Sequence, residues 1–487
     1  MFANVASGIS HNAARRPAHP ALIHGDRVIS YAELDRLVEE AAHRLREAGV
    51  GPRDIVGVVL PDSASHVVAL FAIARLEAVI LPMDPRWTTF EKANLARFFK
   101  TRCVLQEEGA EPLPGVSALV MDAAAEAAGE SGAPPGPVAA DPDAPLMLSL
   151  SSGTTGTPKG PLISHRQLQE RFLKHWVSLT FNEHDRHMIA TPLYFGGGRI
   201  FAMSHLCIGA TVVLFPPPYK ADELVAALER HRIATVYLVP TLLRRLLALP
   251  GERPILRSLR LLISGGAALY PEERRAIMDQ LTPRFVNYYS SSEGGPVSVL
   301  LPEHEADGSG CVGRPVFLTE VEVVDESHRR LPPGLVGRVR YRGPGVAQSF
   351  FNNPEESATA FHDGWFYPGD LGYLDAGGFL YLSGRSKDVI IRGGVNVYPA
   401  EIEETLLAHP AVQDAAVVRW PSREFGEEIA AFVVKKSDVE TDELLQHCRR
   451  VLAPYKVPRA VFFLASLPKS SMGKVVKAKL VESLRPL

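Results

Sequence analysis

The spacing of apolar residues alternates between helical and strand periods along most of the chain. Residues 31–48 repeat apolar side chains at helical spacing, which predicts a helix capped by Ser30 and ended by Gly49. Short β-branched runs at 55–60 and 79–81 enclose another helical stretch, and the alternation returns at 211–215, 221–231, 235–239, 242–249 and 261–263. Such strand–helix–strand repeats predict parallel sheets with helices on their faces.

The pattern changes towards the C-terminus. Residues 122–145 are rich in Ala, Gly and Pro, which predicts a surface connection, and strands alternate with turn signals between 316 and 346. The second pattern predicts a small β-rich unit. Beyond Arg385 the sequence predicts a compact α+β domain, with helices at 400–408 and 441–452 and strands at 412–419 and 429–435.

Composition excludes several classes of function. The chain has 487 residues, 46% apolar and 22% charged, which is ordinary for a globular protein of two to four folding units. Its net charge of −3 provides no overall positive field for nucleic acid or an anionic membrane. The four cysteines lack metal-ligand spacing, no signal peptide is evident, and Arg75 and Glu77 interrupt the longest apolar stretch. We therefore expect a cytoplasmic protein that binds neither nucleic acid nor membranes.

The strongest local signal is a loop rich in glycine and hydroxyl side chains, which follows a predicted strand at 146–150. Glycines leave backbone N–H groups exposed and hydroxyls donate to phosphate oxygens, so the loop predicts a phosphate site. It is not a Walker A loop, because Gly160 follows the lysine and the glycine spacing differs. The predicted phosphate-binding residues are Ser151, Ser152, Gly153, Thr154, Thr155, Gly156, Thr157 and Lys159.

This loop resembles the signature of the adenylate-forming superfamily, which includes acyl- and aryl-CoA ligases, nonribosomal-peptide adenylation domains and beetle luciferases. Further matches follow in the family's order across almost the whole chain. The resemblance implies that Tyr289 stacks on adenine, Ser292 touches the α-phosphate and Asp370 accepts hydrogen bonds from the ribose hydroxyls. The full set of implied nucleotide contacts beyond the loop is Gly265, Gly266, Ala267, Tyr288, Tyr289, Ser290, Ser292, Asp370 and Arg385.

The same resemblance assigns the catalytic groups. Lys474 matches the lysine that bridges the carboxylate and the α-phosphate, Glu293 the Mg²⁺ ligand, and Thr154 a catalytic hydroxyl of the loop. Lys387 matches the pivot between two domains. A loop that admits the pantetheine arm of CoA contains Gly393 and Gly394. ATP, Mg²⁺ and coenzyme A are the implied cofactors.

The acid pocket is expected at Tyr194, Phe195, Gly196 and Gly266. Many acyl-CoA ligases carry a histidine where this chain has Phe195, and benzoate-type ligases resemble this chain more closely there. No acidic residue lies between 187 and 222, so a substrate amine has no obvious partner. With Tyr288 and Tyr289 the pocket would be flat and apolar, which favours an aromatic or alicyclic acid. A short or medium aliphatic acid remains open.

Three departures from the family pattern affect this mapping. Ser290 replaces a glycine, while Ser292 and Pro368 replace threonines. Ser292 keeps a hydroxyl, so the chemistry should survive, whereas Ser290 and Pro368 would reshape the pocket or the nucleotide turn.

Pattern and resemblance together imply an α/β fold. Residues 1–386 would form a large N-terminal domain of two doubly wound α/β subdomains plus a small β-rich subdomain. Residues 387–487 would form a small, mobile α+β C-terminal domain. The implied function is a carboxylic acid–CoA ligase that proceeds through an acyl-AMP.

Several alternatives stay open at this point. The acceptor could be carrier-protein pantetheine instead of CoA, and a luciferase-like oxidase would share the first half-reaction. A non-catalytic adenylate-binding protein is a more distant alternative. A homodimer and a protein acetyltransferase acting on Lys474 are further open partners.

Overall fold

A computed structural model describes residues 2–121, 141–150, 160–267, 269–304, 310–392, 395–422, 425–470 and 473–485. The predicted phosphate residues at 151–159, including Thr154, lie outside these residues. So do Gly393, Gly394 and most of the predicted connection at 122–145.

The first part of the chain builds a six-stranded sheet in the order β6-β5-β3-β4-β7-β8, in which only the β7–β8 pair is antiparallel. Ser30 caps α2 by accepting a hydrogen bond from the Glu33 amide, as predicted. The elements are α1 (Ser7–Arg15), β1 (Pro20–His24), β2 (Arg27–Ser30), α2 (Tyr31–Glu47), β3 (Ile55–Val59), α3 (Ala64–Arg75), β4 (Val79–Pro82), α4 (Thr89–Phe98), β5 (Cys103–Gln106), β6 (Ala118–Val120), β7 (Pro145–Leu148) and β8 (Leu162–Ser164).

A second parallel sheet follows, in the order β10-β9-β11-β12-β13, with β1 and β2 added beside β10. Its helix α6 is buried along most of its length, because Phe201, Met203 and Leu206 pack into the largest apolar core. The elements are α5 (His165–Ser178), β9 (Arg186–Ile189), α6 (Gly196–Ile208), β10 (Thr211–Leu214), α7 (Ala221–Arg230), β11 (Thr235–Tyr237), α8 (Pro240–Leu247), β12 (Leu261–Gly265), α9 (Pro271–Gln280), β13 (Phe285–Ser291) and β14 (Gly295–Leu300).

The predicted β-rich unit is present, but it is not a separate sheet. Antiparallel pairing of β13 with β14, β14 with β15 and β15 with β21 joins it to the second parallel sheet. The alternation of apolar and polar residues predicts strands but not which strands pair, so the sequence could not show that the two parts share one sheet. Its elements are β15 (Cys311–Pro315), β16 (Glu320–Val324), β17 (Gly337–Arg342), α10 (Pro354–Ala360), β18 (Phe361–His362), β19 (Trp365–Phe366), β20 (Asp370–Leu374) and β21 (Leu380–Arg385).

The chain leaves the long sheet at Arg385, passes through a single 3-10 turn at Ser386–Asp388 and enters the C-terminal sheet at Ile390. That sheet has its own apolar core, centred on the long β24–β25 hairpin. Its elements are β22 (Ile390–Arg392), β23 (Val395–Val397), α11 (Pro399–Leu407), β24 (Val412–Ser422), β25 (Gly426–Lys435), α12 (Thr441–Val451), β26 (Ala460–Phe463) and α13 (Lys477–Glu482).

Within the described ranges, no helix has both the length and the apolar content that crossing a bilayer would require.

Candidate active site

A cavity of about 1270 Å³ opens where the carboxyl ends of the parallel strands meet the β-rich unit and the C-terminal domain. Open α/β sheets bind ligands at this edge, because the turns that follow the strands converge there. Most of the predicted site residues that the structure describes line this one cavity. They are Tyr194, Phe195, Gly196, Gly266, Tyr288, Ser290, Ser292, Glu293, Asp370, Arg385, Lys387 and Lys474.

Three predicted nucleotide contacts, Gly265, Ala267 and Tyr289, are not among the described residues of the cavity wall. Gly265 is buried behind the wall, where a Cβ would lie 2.2 Å from the carbonyl oxygen of Tyr288. Tyr289 alternates with Tyr288 along β13 and packs instead against the core of the β-rich unit. Its hydroxyl nevertheless reaches the cavity residue Asp370, and the stacking of Tyr289 on adenine stays a prediction.

One end of the cavity carries a buried carboxylate with two donors. Asp370 is 6% exposed, and it accepts hydrogen bonds from Arg385 Nε at 2.7 Å and from the Tyr289 hydroxyl. Burial raises the pKa of Asp370 above its ordinary value, although the charges of Arg385 and Lys474 and the Tyr289 hydrogen bond oppose that rise. Each carboxylate oxygen has a second lone pair, so Asp370 can still accept from a ligand.

Lys474 reaches the same end of the cavity from the C-terminal tail. An isolated bridge joins Lys469 to Val475, and the Ser470 amide donates to the Lys474 carbonyl oxygen at 2.7 Å. Gly473 has a φ of 76°, which favours glycine, and the paired residues 469–470 and 473–475 are called the tail hairpin below. Burial lowers the pKa of Lys474, as does nearby Arg385, while Asp370 and Glu293 raise it. The ammonium therefore lies among the groups predicted to hold the nucleotide and the metal.

The turn that presents Ser292 and Glu293 is held by Arg171, a residue that the sequence reasoning missed. Arg171 is 3% exposed and donates to the carbonyl oxygens of Ser292 (3.1 Å), Glu293 (2.6 Å) and Gly345 (2.7 Å). These bonds fix the backbone of the turn, so that the Glu293 carboxylate can face the cavity. A carboxylate there suits Mg²⁺, which takes oxygen ligands from a few protein groups and from substrate phosphates.

Aromatic rings form the other end of the cavity. Phe201 stacks on Tyr237 with ring centroids 5.1 Å apart, and Tyr288 meets Phe201 edge-on at 5.8 Å. Tyr194 and Phe195 lie at the turn before α6 and line the cavity with them. These rings, with glycine on α6 beside them, make a flat and largely apolar wall.

A glycine lets α6 approach this wall closely. A Cβ at Gly197 would lie 2.7 Å from the Tyr237 ring, so a larger residue there would have to displace the ring. The sequence pattern marked Gly196 as a pocket residue but assigned no role to Gly197.

The aromatic end of the cavity also has a carboxylate nearby. It comes from outside the stretch between 187 and 222, in which the sequence has no acidic residue. Asp84 lines the cavity from the turn after β4, but Arg86 pairs with both of its oxygens at 3.0 and 2.7 Å. Asp62 lies behind the wall and accepts from the Leu193 amide at 2.6 Å. Arg86 compensates Asp84, and the expectation that a substrate amine lacks an acidic partner stays a prediction.

Three buried histidines lie beneath the aromatic wall. His175 Nε2 is 2.9 Å from the Tyr288 hydroxyl, and the rings of His187 and His205 stack with centroids 4.0 Å apart. Burial lowers the pKa of His175 to about 3 and that of His205 to about 4. The three rings are therefore neutral packing and hydrogen-bonding groups at physiological pH.

Two family models match the chain. The AMP-binding enzyme model covers residues 9–351, and the model of the AMP-binding enzyme C-terminal domain covers residues 401–474. The chain belongs to the AMP-binding enzyme family. The second match ends at Lys474, while Asp370 and Arg385 of the cavity wall lie between the two matches.

Relatives of this AMP-binding enzyme align with nearly its whole length. Feruloyl-CoA synthase of Amycolatopsis sp is 34% identical over 95% of both chains. The solved structure of O-succinylbenzoate coenzyme A synthetase (MenE) from Bacillus subtilis, in complex with ATP and magnesium ion, has a TM-score of 0.87 at 28% identity, covering 97% of this chain and 98% of that one. These similarities confirm the predicted fold class, the acyl- and aryl-CoA ligase branch and the use of ATP.

A third relative, MatB from Rhodopseudomonas palustris, has been solved with and without nucleotide. ATP-bound MatB matches with a TM-score of 0.92 and apo MatB with 0.81, both at 28% identity and 99% coverage of each chain. By this measure the chain is more similar overall to ATP-bound MatB than to apo MatB.

Proposed function

We propose that this AMP-binding enzyme is an ATP-dependent carboxylic acid–CoA ligase that favours aromatic acids. The observation that carries the proposal is one cavity with three kinds of wall. A buried carboxylate and Arg385 suit a ribose, Lys474 and Glu293 meet beside them, and aromatic rings close the far end. A nucleotide at the first end and an acid at the second would place the α-phosphate next to Lys474.

The first half-reaction joins the acid carboxylate to the α-phosphorus of ATP and releases pyrophosphate. The barrier is mainly the repulsion between two anions together with their positioning. The Lys474 ammonium would stabilise the charge that develops between them. Glu293 would hold Mg²⁺, which supplies positive charge to the phosphates. No general base is needed, because a carboxylic acid is already ionised near neutral pH.

The second half-reaction transfers the acyl group to the thiol of CoA. Lys474 occupies the space beside the reacting carbonyl, so we propose that the C-terminal domain must turn away before the thiol can approach. The pivot would be Lys387, in the single turn between the two sheets. In that account Lys387→Pro slows thiolation more than adenylation. The loop with Gly393 and Gly394 would then face the cavity, and residues 1–386 and 387–487 would move as two bodies.

The aromatic wall supports an aromatic or alicyclic acid over a short aliphatic one. Phe201, Tyr237 and Tyr288 present flat faces and edges, and stacking adds to the free energy of burying the ring. The relatives named for ferulate and for succinylbenzoate agree with that preference.

The test is a panel of acids assayed for AMP release with and without CoA. We expect aromatic acids to support CoA-dependent AMP release at kcat/KM at least about tenfold above short aliphatic acids of equal charge. Saturation by a holo-carrier protein but not by CoA would instead favour the carrier-protein ligase. An absence of turnover with every acid would contradict the proposal.

Acetylation of Lys474 would silence the first half-reaction, since it removes the charge. We propose this as a regulatory chemistry of the same site, in a cytoplasmic enzyme. Mass spectrometry after treatment with an acetyltransferase tests it, and the absence of acetyl-Lys474 would count against it.

A further inference from the structure

Arg199 is a buried cation on the acid end of the cavity wall. It is 2% exposed and extends from α6, next to Tyr194 and Phe201. Its Nη1 donates to the carbonyl oxygens of Leu193 at 2.9 Å and Tyr194 at 3.0 Å, and its Nε points at the Met147 sulfur at 3.2 Å. Within the described residues, none of its hydrogen bonds involves a carboxylate or the second terminal nitrogen, Nη2.

Other deeply buried arginines of this chain meet compensating groups. Arg75 contacts Asp35 and Glu39, and the charge of Glu293 acts on Arg171. Burial alone lowers the pKa of Arg199, to about 10, so the side chain is charged at neutral pH. A buried charge is costly unless an opposite charge pairs with it. An anion supplied by a ligand would remove that cost.

Arg199 belongs to the acid end and not to the nucleotide end. The charged groups that act on Lys474 are Arg385, Asp370 and Glu293. Arg199 instead lies on α6, where it donates to the carbonyl oxygen of Tyr194 and lines the cavity with Tyr194 and Phe201. A substrate whose reacting carboxylate meets Lys474 would therefore direct its opposite end towards Arg199, along the wall of Phe201 and Tyr237.

We propose that the preferred acid carries a second carboxylate, which pairs with the Arg199 guanidinium while the reacting carboxylate meets Lys474. Nη1 and Nε are already engaged by the two carbonyl oxygens and the Met147 sulfur, so Nη2 would donate the charge-assisted hydrogen bond to the second carboxylate. The carbonyl oxygens of Leu193 and Tyr194 hold the fork in place, so little side-chain freedom would be lost on binding. This inference rests on the proposed function and names the substrate class of that same site.

The wild-type enzyme provides the first arm of the test. ATP–pyrophosphate exchange is measured with cinnamate, with carboxycinnamates bearing the second carboxylate at the 3 or 4 position, and with the methyl ester and carboxamide of each. Aliphatic acids with and without a second carboxylate form a parallel series. We expect the best dicarboxylate to exceed its methyl ester and carboxamide by at least about 10²-fold in kcat/KM.

Variants of Arg199 provide the second arm. Because Arg199 also holds the Leu193–Tyr194 turn, the readout in Arg199→Met is the ratio of kcat/KM for the dicarboxylate to kcat/KM for cinnamate, which should fall at least about 10²-fold. Arg199→Lys should recover part of the loss, since it keeps the charge but not the planar fork. Met203→Leu, a buried change on the same helix away from the cavity wall, is the matched control.

The outcomes separate this inference from the function beneath it. Exchange that is equal for dicarboxylates and their neutral partners, or faster for the neutral ones, would overturn the role of Arg199 and leave the ligase proposal intact. No exchange with any acid would overturn the ligase proposal and this inference together. The comparison of dicarboxylates with their esters and carboxamides on the wild-type enzyme tests the inference even if Arg199→Met does not fold.

Discussion

The two sides of the cavity are held in opposite ways. On the large-domain side, Arg171 and Arg199 are at most 3% exposed and fix turns through hydrogen bonds to backbone carbonyls. On the C-terminal side, Lys474 comes from a short tail hairpin tied down by ion pairs such as Lys469 with Asp414, whose side chains are 36% and 29% exposed. Buried bonds resist rearrangement, whereas exposed ion pairs contribute little. We infer that the large domain sets which acid binds, while the tail sets when the chemistry proceeds.

The largest effect is expected from the buried side. Arg171→Met would leave the carbonyl oxygens of Ser292, Glu293 and Gly345 without their side-chain donor, at a cost of at least about 3 kcal/mol in the free energy of unfolding. Urea unfolding measures the loss. Arg166→Met, the same change at an exposed position of α5, is the control and should alter stability little. Equal stabilities of the two variants would show that Arg171 is not a structural clamp.

Acid should weaken the buried side next. His175 and His205 have pKa values lowered by burial to about 3 and about 4, below the ordinary 6.5. As the pH falls, these histidines take up protons in the unfolded chain before they do so in the folded chain. Their contribution to the free energy of unfolding is therefore complete above about pH 6.5 and is lost as the pH falls towards 4. The loss is about 1.4 kcal/mol per pH unit for each histidine.

Urea unfolding between pH 7 and pH 5 measures this decline. His205→Phe should flatten the slope of unfolding free energy against pH, while a change at the exposed His184 should not. A free energy of unfolding that is constant over this range would contradict the neutral histidine core.

A smaller effect is expected at the nucleotide end. Tyr289→Phe removes a donor to the Asp370 carboxylate, and this donor lowers the pKa of Asp370. Asp370 would therefore protonate at a higher pH. We expect kcat/KM for ATP to fall about tenfold, with the acidic limb of its pH profile moved upwards. Tyr373→Phe, a change in the same unit away from the cavity, is the control. An unmoved acidic limb would exclude this link.

The smallest effect is expected from the exposed ion pair that ties down the tail. Lys469→Met breaks the exposed pair with Asp414 and should cost less than about 1 kcal/mol. Adenylation should fall no more than about fivefold, as measured by pyrophosphate exchange. If Lys469→Met lowered the free energy of unfolding as much as Arg171→Met does, the tail would be held as firmly as the buried side. That result would contradict the contrast between the two sides of the cavity.

Much of the fold could be predicted from the sequence, because apolar periodicity marks helices and strands directly. The cap of α2 at Ser30 and the change of pattern after Arg385 are examples. The junction of the β-rich unit with the long sheet could not be predicted, since strand pairing between distant segments leaves no local signal.

The site was only partly predictable for a related reason. Motifs identified the residues that face the cavity, including Lys474, Glu293 and Asp370. They did not identify Arg171 and Arg199, which sit on the buried faces of helices. The available signal was a charged residue at an otherwise apolar position, such as Arg199 within the apolar run of α6. The stacking of Tyr289 on adenine stays a prediction, and the structure adds a contact that the motif does not contain, from the Tyr289 hydroxyl to Asp370.

The central claim is that Lys474 serves the first half-reaction and must leave before the second. The most direct measurement is the two half-reactions of Lys474→Ala, with Lys479→Ala on the adjacent exposed surface as control. We predict that pyrophosphate exchange falls by about 10²–10⁴-fold, while transfer from supplied acyl-AMP to CoA stays within about threefold of wild type. An equal loss in both half-reactions would contradict the claim.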